Sequence, residues 1–295
     1  MRKIMAVLLT TLLLSTLSFA QGREPERERE DDHDDRGPIQ VGWAIITPMA
    51  VTTSAGSGGV TTAASSSGLV VFGTFGFKEG EGTAQAGIVP SDLTTSSLMF
   101  VNANGKLSRN IGIGIVNPNN TPTIVTMTLR KEDGSVIGSE KRITVAGGNQ
   151  TAQFITALFG DRPEVPNDLT GTVVMTSTVP VSMVGLRFRG SNFSTIPITN
   201  LSPSTAVPER GVGTGGSGAV VLPHFAAGGG WATELVIVNT GSQRTLVRVD
   251  FFKQDGTPMT VRLNGESKSS FMDLAISAGG VLELAPKDRE GHSRF

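Results

Sequence analysis

From residue 37 onward the chain is written in short Val/Ile/Thr-rich runs separated by Gly, Asn, Asp and Pro, the pattern of many short strands joined by turns. Ile111 to Asn117, Ile124 to Lys131, Thr172 to Ser177, Val181 to Phe188, Thr233 to Asn239 and Thr245 to Lys253 read as strands. In two of them the period of two is plain. Val125, Met127 and Leu129 alternate with Thr126, Thr128 and Arg130, and Val247, Val249 and Phe251 alternate with Arg248 and Asp250. Such alternation sets one face in a core and the other in water, as antiparallel sheets do. The one helical candidate, Gln150 to Phe159, is long enough for two turns across an open sheet end and too short to define a fold.

The pattern repeats. Ile111 to Ser135 aligns with Thr233 to Thr257 without a gap at an offset of 122 residues. Ile115-Val116-Asn117 meets Ile237-Val238-Asn239, and Lys131-x-Asp133-Gly134 meets Lys253-x-Asp255-Gly256. Each Asp-Gly pair follows an alternating run, which predicts the same two-residue hairpin in both copies. Ala146-Gly147-Gly148 resembles Ala278-Gly279-Gly280 after about ten extra residues around Asn264 to Asp273. A period near 120 residues suits tandem sandwich domains, since solenoid repeats are shorter.

The copies differ in length. The first continues through Gly171 to Thr176 and Val181 to Phe188 to Ile196-Pro197, whereas the second ends near Leu284. Gly42 to Thr47 resembles the first missing strand, Val70 to Phe77 the second, and Val89-Pro90 echoes Ile196-Pro197. Residues 39–90 are therefore expected to complete the second sandwich, within one molecule or by strand exchange with a neighbour, because an unfilled sandwich leaves strand edges open. A truncated array is the alternative. The expected organisation is a signal peptide over 1–20, a disordered charged linker over 21–38, the completing segment over 39–90 and a sandwich over 91–205. A Gly-rich linker over 206–218, a second related module over 219–286 and a polar tail over 287–295 follow. Met49 to Gly68, rich in Ser, Thr, Ala and Gly, reads as a flexible loop.

Composition narrows the class. The 295 residues include 37 Gly and 15 Pro, with 17% charged and 5% aromatic residues, a mixture that excludes a long helical bundle or coiled coil. With 38% hydrophobic residues the chain can bury a core. A net charge of −1 argues against a phosphate-tracking nucleic-acid binder. Arg2 and Lys3, an apolar run from Ile4 to Leu17 and Ser18-Phe19-Ala20 have the layout of a signal peptide, and no later stretch is long and apolar enough to span a membrane. The expected product is exported: extracellular, loosely associated with the cell surface, or periplasmic. Lacking cysteine, it must be stable through packing alone. Residues 21–36 carry four Arg against eight acidic side chains, a solvated linker whose Asp31-Asp32-His33-Asp34-Asp35 run has no spacing of a coordinating loop.

Phrases such as Asn110 to Pro118, Gly185-Leu186-Arg187-Phe188 and Pro223 to Trp231 resemble the recurring text of Ig-like or fibronectin-like β-sandwich modules in long exported bacterial proteins. The resemblance covers about residues 39–286 and implies an all-β fold of tandem Ig-like antiparallel sandwiches. It also implies a secreted, non-catalytic scaffold or adhesion role, with an extracellular or cell-surface protein or glycan as partner.

Catalytic chemistry has little to work with. Of His33, His224 and His292, only His224 lies in a segment that reads as folded, and no Gly-x-Ser-x-Gly elbow accompanies it. Gly211-x-Gly213-x-x-Gly216 matches a dinucleotide pattern without its strand-turn-helix setting. His224 with Glu234 or Asp273 is a weak metal set, and a partly buried histidine at a strand start is the simpler reading. No catalytic residue, cofactor or metal is expected. Trp43 and Trp231, with His224, are the candidate ligand platform, since an exposed indole can stack on a sugar; a carbohydrate-binding sandwich is the alternative function. Arg187 and Arg189, flanking Phe188, read as the wet face of a strand.

Overall fold

The computed structural model describes residues 38–287 apart from 50, 54–59, 63–67, 80, 81, 161–164, 167, 191, 197, 240 and 279. The expected signal peptide, the charged linker up to residue 37, most of the Met49 to Gly68 loop, His33, His292 and the tail past Lys287 lie outside the described residues.

The fold is all-β and sandwich-like. The front of the chain gives β1 (Gln40–Met49), β2 (Val51–Thr53), β3 (Val60–Thr62), β4 (Leu69–Glu79) and β5 (Gly82–Ile88). The middle gives β6 (Thr94–Asn104), β7 (Arg109–Val116), β8 (Thr123–Lys131), β9 (Lys141–Val145), β10 (Gln150–Phe154), a single helical turn α1 (Ile155–Leu158), β11 (Asp168–Arg189), β12 (Asn192–Ile196) and β13 (Thr199–Asn200). The rear gives β14 (Val220–Ala227), β15 (Trp231–Asn239), β16 (Thr245–Lys253), β17 (Val261–Leu263), β18 (Glu266–Lys268), β19 (Ser270–Ile276) and β20 (Val281–Leu284).

Three local expectations need correction. Gln150 to Phe154 is a strand, and only Ile155–Leu158 turns helically. The five residues of β10 pair with Val116 to Gly112 of β7, and satisfying that ladder outranks the helix propensity of so short a run. The two strands expected at Thr172 to Ser177 and Val181 to Phe188 are one 22-residue strand, β11. Its ladder with β6 slips between Thr176 and Val181, next to Pro180, which has no N–H to give. Finally, the Asp-Gly turns have three-residue loops rather than two. Gly134 donates to Lys131 O at 3.0 Å and Lys131 N to Ser135 O at 2.9 Å, with only the glycine at positive φ (82°). Gly256, Lys253 and Thr257 reproduce this at 2.9 and 2.8 Å, with φ 78° at Gly256. Asp133 and Asp255 keep negative φ and act instead through their carboxylates, which accept from the backbone and hydroxyl of Ser135 (2.8 and 2.6 Å) and Thr257 (2.9 and 2.6 Å).

An eight-stranded sheet runs β10-β7-β6-β11-β8-β9, with β12 added beside β11 and β13 beside β6. It is nearly barrel-shaped because β11 serves both sides: its first half lies between β6 and β8, its second half between β7 and β12. Two four-stranded sheets run β14-β1-β16-β19 and β20-β15-β4-β5. The front of the chain is thus paired with its rear, β1 to β14 and β16, and β4 to β15.

Strand orders correspond across these sheets. β6, the first half of β11, β8 and β9 stand to one another as β14, β1, β16 and β19 do; β10, β7, the second half of β11 and β12 stand as β20, β15, β4 and β5 do. Matched glycines mark the fit. Gly42 is opposite Lys253 and Gly171 opposite Lys131, and a Cβ at either would meet the preceding carbonyl on the partner strand, that of Phe252 or Arg130. Gly73 makes room for Ile88 as Gly185 does for Ile196. This register sets Ile88 against Ile196 and shifts the expected Val89-Pro90 match by one residue. The extra residues around Asn264 to Asp273 include the β17–β18 hairpin, turned through Asn264 (φ 49°) and Gly265 (φ 84°), a two-residue turn of the Asn-Gly kind.

Two buried asparagines 122 residues apart do the same work. Asn117 Nδ2 donates to the carbonyls of Thr121 (2.8 Å), Val145 (3.1 Å) and Ala146 (3.2 Å). Asn239 Nδ2 donates to those of Gln243 (2.7 Å), Ile276 (3.1 Å) and Ser277 (3.1 Å). Each closes the loop after its strand and pins the turn that leads to the next edge, adding a side-chain donor to carbonyls of which Ala146 O and Ser277 O also accept from the backbone N–H of Asn149 (3.1 Å) and Gly280 (2.9 Å). Along β7, Ile111, Ile113 and Ile115 enter the core of the eight-stranded sheet, whereas Gly112 and Gly114 leave the other face low enough for β14 to approach.

Candidate functional site

The three residues singled out as a platform have different fates. Trp43 sits in β1 between β14 and β16 and is wholly buried. Its ring stacks on Phe252 at 4.5 Å, and the Arg210 guanidinium lies 5.6 Å from both ring centres. The guanidinium also donates from Nη1 to the carbonyls of Pro118 (3.1 Å) and Asn119 (3.3 Å), so Arg210 ties the loop after β7 to the Trp43–Phe252 pair. Burial pulls its pKa below the ordinary arginine value, and it stays charged. Trp43 is therefore a core residue and offers no face to a ligand.

Trp231 and His224 are brought together. Trp231 opens β15 after Gly228, Gly229 and Gly230, all at positive φ, which fold the chain back so that Trp231 N donates to Gly228 O at 3.0 Å and Gly228 N to Trp231 O at 2.9 Å. The half-buried indole leans on Phe77 (5.0 Å), Phe193 (5.5 Å) and Phe75 (6.3 Å). His224, on β14, meets Phe75 edge-on at 4.8 Å. It is nine-tenths buried, and desolvation pushes its pKa down to about 4, so the imidazole is neutral at physiological pH.

Both residues line a crevice between the eight-stranded sheet and the four-stranded pair. Gly112 and Gly114 of β7, with Phe154 and Phe188, form one wall; Phe75, His224 and Trp231 form the other. The cavity is about 90 Å³, and among the described residues that line it there is no Asp, Glu, Lys or Arg. Among the described lining residues, polar side-chain atoms come from Gln153, Gln254, His224 and the Trp231 indole. The phenylalanines carried no signal of this grouping in the sequence, because they come from β4, β10 and β11. The Ile-Gly alternation of β7 was the one local hint that something packs close on its outer face.

Residues 206–218 hold no dinucleotide cradle. Gly211, Gly213 and Gly216 turn through positive φ and lead into strand β14 rather than a helix. Thr214 Oγ1 donates to Asp250 (3.2 Å), Gly215 N donates to Thr47 Oγ1 (3.0 Å), and Arg248 grips Asp250 with two nitrogens (2.8 and 2.9 Å) while reaching Val212 O at 2.9 Å. The segment is a strap across β1 and β16. Among the described residues no group of three or more His, Cys, Asp or Glu is placed to hold a metal, and no helix is long and apolar enough to cross a membrane. Arg187 and Arg189 are exposed on β11.

No protein-family model matches the chain, and no curated protein matches it. Among solved structures it is similar to the Anabaena sensory rhodopsin transducer, at 20% identity and TM-score 0.27 over 31% of this chain and 93% of the other. It is also similar to Thermotoga maritima 1070, at 13% identity and TM-score 0.30 over 38% of this chain and 97% of that one. At these scores neither likeness bears on what the chain does.

Proposed function

We propose that this is a secreted, non-catalytic structural or adhesion protein built of two Ig-like β-sandwich modules. One comprises residues 91–205, and the other is assembled from residues 39–90 and 219–286. The observation that carries the reading is the pairing of β1 with both β14 and β16, from Gln40 to Met49. It joins segments far apart in sequence in one ladder, holding a cysteine-free chain closed where other exported domains use disulfides. Work by surfaces rather than by a reactive site is supported by the outer face of the β20-β15-β4-β5 sheet. There Val70 (50% exposed), Phe72 (40%) and Val281 (64%) meet solvent, a patch of the kind that marks contact surfaces. Neither tryptophan stands clear of the sheets, so their placement gives the glycan-binding alternative no support.

The test has two parts. Deleting residues 38–90 from the mature chain is expected to unfold or aggregate the rear sheets, seen by sedimentation velocity and by loss of the β14–β20 amide signals; equal stability of those strands would remove the assembly argument. Phe72→Lys with Val281→Lys is expected to abolish retention of the labelled chain on the envelope fraction of cells that export it. Unchanged retention would refute the adhesive face.

A further inference from the structure

We propose that the crevice between β7 and β11 on one side and β14 and β15 on the other is a binding site for a small uncharged aromatic alcohol of the phenol class. The ring lies against Gly112 and Gly114 among Phe75, Phe154, Phe188 and Trp231, and the hydroxyl donates to the imidazole of His224. This site is independent of the adhesive reading.

Three observations converge on that chemistry. First, among the described residues the walls are aromatic and aliphatic with no charged side chain, so an ionised ligand would be desolvated without a counter-charge. A saccharide fits no better, since among the described side chains its several hydroxyls would find one imidazole, two amides and one indole N–H. Second, the cavity of about 90 Å³ is smaller than the roughly 150 Å³ closed cavity that accepts benzene, but it is open on one side, so a single ring enters edge-first and projects its rim. Third, His224 is nine-tenths buried as a residue and forms part of the wall, meeting Phe75 edge-on, while its ring nitrogens are absent from the sealed polar atoms that lack a partner and accept no hydrogen bond from the described residues, so they open on the crevice. A neutral imidazole carries one acceptor and one donor, and where its nitrogens open on an apolar crevice a single ligand hydroxyl can use them. The glycine floor belongs to the same design. A Cβ at Gly112 would sit 3.4 Å from Phe188 and 3.8 Å from Leu186, a tolerable contact for the fold, and it would occupy the space where the ring lies.

The experiment uses the full mature chain, uniformly labelled, titrated with p-cresol and separately with toluene while the His224 imidazole and Trp231 indole signals are followed by NMR. The expected result is a saturable shift of both residues with p-cresol at sub-millimolar dissociation constant. Toluene, which lacks the hydroxyl, should bind about fivefold more weakly, the worth of one neutral hydrogen bond. Gly112→Ala is expected to weaken p-cresol binding more than tenfold with the melting temperature unchanged. Absence of a saturable p-cresol shift, equal affinity for the two probes, or wild-type affinity in a folded Gly112→Ala chain would each overturn the proposal. Should Gly112→Ala fail to fold, the comparison of the two probes on the unaltered chain decides the matter alone.

Discussion

Acidification from pH 7 to pH 5 should weaken the four-stranded sheets through His224. In the folded chain burial holds this imidazole's pKa at about 4, whereas in the unfolded chain it returns to 6.5. The unfolded state therefore binds more protons than the folded one throughout that interval, and stability falls as pH falls. It is fully present above pH 6.5, is down by about 2 kcal/mol at pH 5 and by about 3 kcal/mol at pH 4, as linkage between the two values requires. Asp133 and Asp255, held below the ordinary carboxylate value by Ser135 and Thr257, contribute stability present above about pH 4 and lost only as pH drops further, outside this window. Urea unfolding read by tryptophan fluorescence suits the measurement, since Trp43 and Trp231 both lie in the four-stranded sheets. With a slope of about 2–3 kcal/mol per molar the midpoint should drop by roughly 0.7–1 M between pH 7 and pH 5. His224→Leu, which fills similar space with an apolar group, should lose the drop. A wild-type midpoint that does not move, or the same drop in His224→Leu, would refute the reasoning that burial keeps the imidazole neutral.

Three further outcomes follow from matched positions and from the strap. Asn117→Ala and Asn239→Ala should each cost about 3 kcal/mol in urea unfolding, since each removes three hydrogen bonds from a buried amide to backbone carbonyls, even though Ala146 O and Ser277 O keep a backbone donor; a loss under 1 kcal/mol for either would show that water replaces the amide there. Gly42→Ala and Gly171→Ala should each destabilise by about 3 kcal/mol, because the new methyl meets a fixed backbone carbonyl on the neighbouring strand. Calorimetry showing one neutral and the other severe would break the correspondence between β1 and the first half of β11. Arg210→Ala should cost about 2 kcal/mol and raise acrylamide quenching of Trp43, by removing the cation from the Trp43–Phe252 stack and from the carbonyls of Pro118 and Asn119; unchanged quenching would mean the ring is covered by other groups.

Much of the strand content could be read from alternation, because half-buried strands such as Ile124 to Lys131 show their two faces in the sequence itself. The Asn264-Gly265 pair of β17–β18 is equally legible, the centre of a two-residue hairpin inside a segment that has no counterpart in the first copy. Gln150 to Phe154 could not be assigned locally. The mixed run QTAQF is compatible with helix or strand, and what decides is the open edge of β7, a partner more than thirty residues away. The continuity of β11 is of the same kind, set by four strands that pair with it in turn. Of the site, sequence pointed to His224 and Trp231 as rare residues but not to their meeting. Burial of Trp43 beneath Arg210 was not visible either, since a linker arginine carries no sign of the rings it covers.

The chain leaves the four-stranded sheets after β5, builds the whole eight-stranded sheet, and returns at β14. Tension applied at Gln40 and Leu284 would therefore load the four-stranded pair first, while the eight-stranded sheet, packed against it through Val184 and Val116, lies off the line of pull. In a row of units joined end to end each feels the full pull; here the front-to-rear ladders of β1 and β4 act as a buckle that shields the strands between β5 and β14. Only when the buckle opens do those strands enter the line of force, so stretching should show two events in fixed order.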